Sequence, residues 1–317
     1  GRLAPQIIYY ISSYATLVED EEIKLGEKIN IVVPTGNFGN ILAAYFAKKM
    51  GLPVNKLICA SNSNNVLTDF INTGVYDRNR QFFTTISPSM DILISSNLER
   101  LLYILCGQND TQINEWFTSL SKTGKYEVSN EVKKALQEEF CAGYCDDEQT
   151  ESTINGIFEK YSYTCDTHTA VAVKVYEDYK AKTGDKTKTI IASTASPYKF
   201  SASVLEALEG GKSSLDEFEM VDRLSEISKY EADKLLLFIN NCNPAFILST
   251  IGIGIFHNIY IGILLATSHY ISSILIGILI RKKQPTTIIH KKIQNLNSFN
   301  QNNKSRNENL FKKKKKC

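Results

Sequence analysis

The feature that most constrains the fold of this chain is a strand–loop–helix–strand pattern near its start. Asn30–Val33 is a short run typical of a buried strand, and Pro34–Asn40 is a loop that contains two glycines. A helical pattern follows over Ile41–Met50, and Lys56–Ser61 is a second short apolar run. Two strands joined through a helix in this way lie parallel in one sheet. The pattern therefore predicts a fold of the α/β class with a parallel sheet.

Apolar residues at helical spacing predict one helix before this unit and several after it. Residues 1–17 have the pattern of an amphipathic helix interior, and because Gly1 is not Met we expect a truncated start. Residues 189–193 predict one more strand. Later helices are predicted at residues 97–105, 130–140 and 169–179, with a helix-like acidic stretch around Cys141 and Cys145.

The chain changes character after about Ser228. Leu235–Ile280 contains 46 residues without a single Asp, Glu, Lys or Arg. A membrane-spanning helix needs about 20 apolar residues, so this length predicts a hairpin of two transmembrane helices. The cluster Arg281-Lys282-Lys283 places the end of the second span in the cytoplasm. The alternative is a buried hairpin of a soluble core, which the lack of a charged face disfavours.

The end of the chain is strongly basic. Residues 281–317 carry 12 Lys or Arg and one acid, whereas the first 280 residues carry 24 basic and 33 acidic side chains. The composition predicts a disordered tail, because it offers too little apolar area to fold. Its lysine run is consistent with binding to anionic lipid or nucleic acid, or with a solvated tail that binds neither. The net charge of +2 describes neither part of the chain. It therefore gives no reason to expect a nucleic-acid partner.

The predicted organisation has four parts. Residues 1–228 form an α/β enzyme portion, 229–234 a junction, 235–280 the two membrane helices and 281–317 the tail. We expect the first part in the cytoplasm, and the chain at a membrane if the apolar segment is expressed as read. The seven cysteines include no C-x-x-C pair, and only one histidine, His168, lies near any of them. We therefore expect free thiols and no metal site.

The loop that follows the first strand, Pro34–Asn40, is the first candidate binding site. A glycine loop between a strand and a helix can aim several backbone N–H groups at one phosphate. Its sequence P-T-G-N-F-G-N is neither G-x-G-x-x-G nor a Walker loop, which argues against a dinucleotide or ATP. Taken alone, the loop is equally consistent with a tight turn in which the glycines serve geometry.

A second candidate, Ser193–Phe200, follows the strand predicted at residues 189–193. In α/β sheets the carboxyl ends of the strands line the ligand crevice. A hydroxyl group there can meet a ring nitrogen without a formal charge. Taken alone, this stretch is also consistent with an ordinary turn rich in Ser and Thr.

Together the two stretches resemble threonine synthase, a pyridoxal-phosphate (PLP) enzyme of the tryptophan-synthase-like fold (fold type II). The resemblance runs from Gly1 to about Ser228 and includes the strings SNSNNVLTDFINTGVYDRN, SPSMDILISSNLERLL, CAGYCDD, DTHTAVA and EFEMVDRLSEIS. It implies a reaction in which O-phosphohomoserine and water become threonine and phosphate. PLP supplies the electron sink, and the protein orients and polarises it.

The resemblance also implies which residues bind the cofactor and substrate. Thr194 corresponds to the threonine of the family's T-A-x-P-x-K-F motif, which faces the pyridine nitrogen of PLP. Arg2 corresponds to the arginine of the S-I-N-x-x-R helix and is the substrate-binding candidate. The family's G-N-F-G-N loop binds the cofactor phosphate, and here its residues are Gly36, Asn37, Phe38, Gly39 and Asn40.

One departure from the family pattern affects the expected activity. The lysine that bonds covalently to PLP lies in an F-K-D motif of the family, and no F-K-D string occurs in these 317 residues. Lys199 belongs to the cofactor loop motif instead, and Lys312 to the tail. Because covalent anchorage needs that amine, we expect this chain to be inactive alone. Its N-terminal portion is then either missing or supplied by a partner chain.

The remaining polar candidates are assigned mostly structural roles. His168 fits a general base, but because it begins a predicted helix we expect a structural role. The stretch Ser87-Pro88-Ser89 is a candidate contact for a substrate phosphate. Four acids are expected to be helix caps or solvated charges, namely Asp69, Asp77, Asp91 and Glu99.

Residues 234–280 are similar to a fragment of the sporulation integral membrane proteins, through FINNCNPAFILSTIGIGIF and IGILLATSHYISSILIGI. That resemblance makes His269 a functional candidate within the second span. Three hypotheses stay open. The chain is a threonine synthase fragment joined by its reading frame to another gene, a membrane-anchored enzyme subunit, or a membrane protein whose enzyme-like domain is vestigial or only binds phosphate.

Overall fold

The computed structural model describes residues 3–228, 258–261, 263–265 and 267–268. The chain divides into two compact units, Gly1–Glu231 and Ala232–Cys317. In the second unit the described residues are helical apart from Asn258. Within the described residues, no helix has the length and apolarity needed to cross a membrane. Most of the segment 235–280 and all of 281–317 lie outside them, so the membrane hairpin and the disordered tail stay predictions.

Among the residues that the structure describes in the first unit, six strands form two sheets. They are β1 (Ile29–Pro34), β2 (Val54–Ser61), β3 (Val75–Asp77), β4 (Lys125–Glu127), β5 (Phe140–Tyr144) and β6 (Thr189–Ile191). The main sheet has the order β5–β2–β1–β6, and all of its strand pairs are parallel. The strands β3 and β4 form a separate antiparallel pair. The predicted α/β fold on a parallel sheet is confirmed.

Ten α-helices and two short 3-10 helices surround these strands in the described part of the first unit. The α-helices are α1 (Leu3–Glu19), α2 (Gly39–Lys49), α3 (Val66–Thr73), α4 (Leu98–Leu105), α5 (Asp110–Thr123), α6 (Asn130–Glu139), α7 (Asp147–Tyr161), α8 (Thr167–Thr183), α9 (Ser201–Glu209) and α10 (Glu217–Ile227). The 3-10 helices are Pro88–Met90 and Pro197–Phe200.

The central strand β1 explains how the layers form. Every residue of β1 is buried, which is expected where helices cover both faces of a parallel sheet. Because side chains alternate along a strand, Ile31 and Val33 pack into a core with α1 and α2. Val32 points to the other face and packs with Val171 of α8. The loops at the carboxyl end of β1 are therefore held between two packed layers.

The sequence prediction is wrong for the stretch around Cys141 and Cys145. Phe140–Tyr144 is the strand β5, which pairs with β2, rather than a continued helix. At Phe140 the backbone becomes extended (φ −117°, ψ 149°), and its ring lies 5.8 Å from the rings of Phe38 and Tyr45. Burial of an aromatic side chain against distant partners outweighs local helix preference here.

Candidate anion-binding site

A cavity of about 720 Å³ lies where the carboxyl ends of β1 and β6 meet. Its walls come from α1, from the loop and first turn after β1, from Ser89 and Met90, from His168, and from residues 190–195 with Lys199. The five predicted loop residues, Gly36–Asn40, and Thr194 all line it. The structure therefore brings the two sequence motifs together. Arg2 lies outside the described residues, so its substrate-binding role stays a prediction.

The first wall is the anion loop, defined here as residues Gly36–Ile41. Within the described residues, the backbone N–H groups of residues 37–41 have no protein acceptor, and the first helical bond runs from the Leu42 N–H to the Phe38 carbonyl. Unpaired N–H groups at the start of a helix carry partial positive charge. Five of them in succession beside a cavity form a natural cradle for an anion.

Side chains from neighbouring segments leave these N–H groups unpaired, and they fix the shape of the loop by bonding to its oxygen atoms. The Ser95 hydroxyl donates to the Gly36 carbonyl at 2.9 Å, and the Asn97 amide donates to the Asn37 carbonyl at 2.7 Å. The Tyr10 hydroxyl of α1 donates to Asn40 Oδ1 at 2.5 Å. These bonds use the carbonyl and amide oxygens of the loop, so its N–H groups remain the unpaired ones.

Two backbone features hold the anion loop in an unusual conformation. Phe38 is left-handed (φ 61°, ψ 5°) although it is not glycine, and its side chain is buried. Gly36 packs so closely on the neighbouring chain that an added Cβ would lie 2.6 Å from the Ser89 carbonyl oxygen. Strain in a non-glycine residue is found preferentially at ligand sites. Both features are consistent with a loop shaped for a ligand.

The opposite wall follows β6. Ser193 and Thr194 are exposed to the cavity, and the Ser196 hydroxyl accepts from the Tyr198 N–H at 3.3 Å, which caps the 3-10 helix that carries Lys199. The Lys199 ammonium lies 5.3 Å from the ring centroid of Phe200. Among the described residues that line the cavity, Lys199 is the one Lys or Arg, and none is Asp or Glu. The cavity is thus electropositive.

Sequence reasoning missed several of these wall residues. Tyr9, Tyr10 and Ser13 of α1 line the cavity, and nothing in their helical pattern marked them as ligand contacts. The sequence identified Lys199 as part of the T-A-x-P-x-K-F motif, but only the structure shows that it lines the same cavity as the anion loop. Ser89 does line the cavity, whereas Ser87 is buried and accepts a hydrogen bond from Asn62 at 3.0 Å.

His168 lies at the inner wall and is buried. It is the second residue of α8, which confirms that it begins a helix. Its Nε2 accepts from the Ser89 N–H at 3.2 Å, and its Nδ1 lies 3.4 Å from Asp166 Oδ1. In this arrangement both ring nitrogens have protein partners.

One of the four acids expected to be caps or solvated charges behaves differently. Asp91 Oδ1 accepts from the side chains of Asn62 at 2.8 Å, Asn64 at 3.0 Å and Thr85 at 2.7 Å. Asp91 is therefore the anchor of the loop that precedes Ser89, because side chains from residues 62–64 and from Thr85 converge on it. Asp69, in contrast, pairs with Arg80 near the surface at 2.7 Å.

Cys59, Cys106, Cys141 and Cys145 are free thiols, as expected. Burial raises the pKa of Cys59 to about 12 and that of Cys145 to about 11, so neither is a thiolate at neutral pH. Within the described residues, no cluster of His, Cys, Asp and Glu could hold a metal ion. The polar groups that the described residues bring to the cavity are backbone N–H groups, side-chain hydroxyls and amides, the His168 imidazole and the Lys199 ammonium.

The fold and the site together define an α/β protein with an anion cradle at the carboxyl edge of a parallel sheet. The sequence adds a narrower assignment. A family model described as threonine synthase, C-terminal, matches residues 169–234. Human threonine synthase-like 1 is 44% identical over 211 residues, which are 66% of this chain and 28% of that protein. Threonine synthase of Saccharomyces cerevisiae is 37% identical over 266 residues, 79% of this chain and 51% of that enzyme.

Solved structures agree with the sequence comparison. The yeast threonine synthase structure matches 74% of this chain and 52% of its own with a TM-score of 0.62 and 35% identity. The PLP-bound threonine synthase of Brucella melitensis matches 72% of this chain and 50% of its own with a TM-score of 0.61 and 33% identity. Over the matched residues the chain is similar to threonine synthases in sequence and in fold. It spans 28% of the human relative and about half of the yeast and Brucella proteins.

Proposed function

We propose that this chain carries the phosphate-binding part of a PLP site of the threonine synthase type. The observation that carries the proposal is the run of five N–H groups in residues 37–41, which face an electropositive cavity without a protein acceptor among the described residues. A phosphate dianion satisfies several such groups at once. The cavity, at about 720 Å³, is in the range of small-molecule cofactor sites.

The residues around the cavity fit the rest of this cofactor. The Thr194 hydroxyl, at the carboxyl end of β6, would meet a ring nitrogen without placing a carboxylate beside it. Asn40 is held by Tyr10, so its position in the first turn of α2 is fixed before a ligand arrives. When bound, PLP would supply an electron sink for carbanion chemistry. The anion loop and Thr194 would hold and orient it.

The reaction that follows from the family is the conversion of O-phosphohomoserine and water to threonine and phosphate. Lys199 is placed to attract an anionic group of such a substrate, because its charge has no carboxylate partner among the described cavity residues. We further propose that the chain alone does not complete this reaction. Its sequence contains no F-K-D string, and the one lysine among the described cavity residues belongs to the loop after β6.

Two experiments on the purified chain test the proposal. Equilibrium dialysis with PLP measures binding, and inorganic phosphate is the competitor that reports occupation of the anion loop. Borohydride reduction followed by peptide mass mapping then asks whether any lysine is linked to the cofactor. We expect phosphate-sensitive PLP binding, no reduced lysine adduct, and no threonine from O-phosphohomoserine.

A matched pair of variants separates binding at the cavity from general charge attraction. Lys199→Ala removes the cavity cation and should weaken PLP binding by about threefold to tenfold at low salt, with a smaller effect at high salt. Lys186→Ala removes a lysine that precedes β6, at the opposite end of the strand from Thr194, and should change nothing. Equal effects of the two variants, or a PLP adduct at Lys199, would contradict the proposal.

The other expectations remain proposals. A partner chain or longer product that supplies the covalently bonding lysine is consistent with a chain that spans about half of the yeast enzyme. The similarity of residues 234–280 to sporulation membrane proteins finds no support among the relatives named above.

A further inference from the structure

Behind the inner wall of the cavity, Asp166 and His168 form a buried pair at the start of α8. The Asp166 side chain is fully buried and the His168 side chain is 4% exposed. The Asp166 carboxylate accepts from the N–H groups of His168 at 2.9 Å and Thr169 at 3.2 Å, and from the Thr169 hydroxyl. It therefore caps α8 and, in the same position, lies 3.4 Å from His168 Nδ1.

These contacts assign one tautomer and one orientation to the imidazole. The Ser89 N–H donates to Nε2 at 3.2 Å, so Nε2 carries no proton. The neutral ring then holds its proton on Nδ1, which faces Asp166 and the Thr167 hydroxyl at 3.3 Å. The Phe200 ring packs against the imidazole at a centroid distance of 4.7 Å.

Ser89 connects this pair to the anion loop. Its N–H group binds His168, and its carbonyl oxygen lies against Gly36, where a Cβ would approach it to 2.6 Å. On the other side, the Thr169 hydroxyl that binds Asp166 lies 3.3 Å from the Ser193 hydroxyl, next to Thr194. One buried pair thus contacts segments that belong to both walls of the cavity.

We propose that His168 is a positioning residue that sets the shape of the anion loop through Ser89, with Asp166 holding the imidazole in place. Only the identity of the ligand rests on the proposed function. The contact chain from His168 to Ser89 to Gly36 is a property of the protein itself. Ser89 is exposed at the cavity, and the bond from its N–H to Nε2 ties its backbone to α8. Losing that acceptor frees the segment to shift away from Gly36.

The test uses the full chain and three variants. His168→Leu removes the acceptor, His168→Gln places an amide oxygen near the position of Nε2, and Thr150→Val is a matched control. Thr150 is as buried as His168 and its hydroxyl donates to the Asp146 carbonyl at 2.7 Å, in a different segment. Amide hydrogen exchange is measured without ligand at Ser89 and at Thr35 and Leu42, whose bonded N–H groups flank the unpaired ones of the anion loop. PLP affinity is measured by equilibrium dialysis.

We expect His168→Leu to speed exchange at Ser89 by about tenfold or more and at Thr35 and Leu42 to a smaller extent, and to weaken PLP binding by about tenfold. His168→Gln should reverse most of both effects, and Thr150→Val should cause neither. Faster exchange at Ser89 with unchanged exchange at Thr35 and Leu42 would overturn the positioning role. If the wild-type chain binds no PLP, the proposed function fails, and exchange at Thr35 and Leu42 decides this inference by itself.

Discussion

At the scale of single residues, the anion loop depends on two positions where side-chain size and backbone geometry conflict. Gly36 has no room for a side chain, because the Ser89 carbonyl occupies the space. Phe38, in contrast, carries a large buried ring although its left-handed backbone conformation favours glycine. In both cases a substitution has a defined structural consequence that can be measured.

The first prediction concerns Gly36→Ala. The new methyl group would lie 2.6 Å from the Ser89 carbonyl oxygen and 3.2 Å from Met90 Cα, and both are backbone atoms. Overpacking of this kind costs about 1–3 kcal/mol. We expect that loss in the free energy of unfolding, measured with urea, together with weaker PLP binding. The control is Gly156→Ala in α7, where no atom lies within 4 Å of the added Cβ. It should gain about 0.5–1 kcal/mol, and the same sign for both variants would contradict the prediction.

The second prediction compares Phe38→Ala with Phe38→Gly. Both variants lose the buried ring, which packs 5.8 Å from Phe140, and each should cost about 3–5 kcal/mol. They differ in one respect, because alanine keeps the cost of the left-handed conformation and glycine does not. Phe38→Gly should therefore be more stable than Phe38→Ala by about 1 kcal/mol in urea unfolding. Equal stability would mean that the loop relaxes to another conformation once the ring is gone.

At the scale of elements, the end of the sheet opposite the cavity is held by Asp185, in the loop before β6. Its carboxylate accepts from Asn30 of β1 at 2.8 Å, from Tyr179 of α8 at 2.7 Å and from the Thr187 N–H at 2.9 Å. The hydrogen bonds from the Thr187 hydroxyl and N–H, followed by those from Asn30 and Tyr179, hold the pKa of Asp185 well below its usual range. One carboxylate thus links β1, α8 and β6.

The third prediction follows from that lowered pKa. A carboxylate with a lowered folded-state pKa contributes stability above its unfolded pKa of about 3.9, and the contribution is lost as the pH falls from there towards the folded-state pKa. Asp185→Asn should cost about 1 kcal/mol at pH 7, a value kept small because the group is partly exposed. The difference from wild type should shrink below about pH 4. A constant difference from pH 7 to pH 3 in urea unfolding would show that the charge of Asp185 is irrelevant.

The sequence predicted those elements whose signals are local. The unit from β1 to β2 was identified because the strand pattern, the glycine loop and the helix are adjacent in the chain. The strand β5 was missed, since its pairing with β2 and the burial of Phe140 depend on residues far earlier in the sequence. The anion loop was predicted for the same local reason. The sequence predicted a structural role for His168 but not the proposed link to the anion loop, because Ser89 is on a separate segment.

At the scale of the molecule, the described first unit is closed by its last helix. Leu224 of α10 is fully buried in a cluster with Ile154 of α7 and Val204 of α9. The Tyr198 hydroxyl, in the loop after β6, lies 2.8 Å from the Ser228 hydroxyl. All three apolar clusters of the described chain lie between residues 3 and 228. The structural core and the cavity are therefore contained in that range.

The fourth prediction is that a chain ending after Ser228 keeps the fold and the site. Because no core residue is removed, its free energy of unfolding and its PLP affinity should equal those of the full chain. A chain ending after Gly211 is the control. It loses α10 with Leu224 and exposes Ile154 and Val204, so it should be destabilised by about 2–3 kcal/mol. Liposome sedimentation adds a second measurement. If residues 235–280 form the predicted hairpin, the full chain sediments with vesicles and the chain ending after Ser228 does not. Instability of the Ser228 variant comparable with that of the Gly211 variant would instead show that residues beyond Ser228 are part of the enzyme-like fold, as the family match to residue 234 allows.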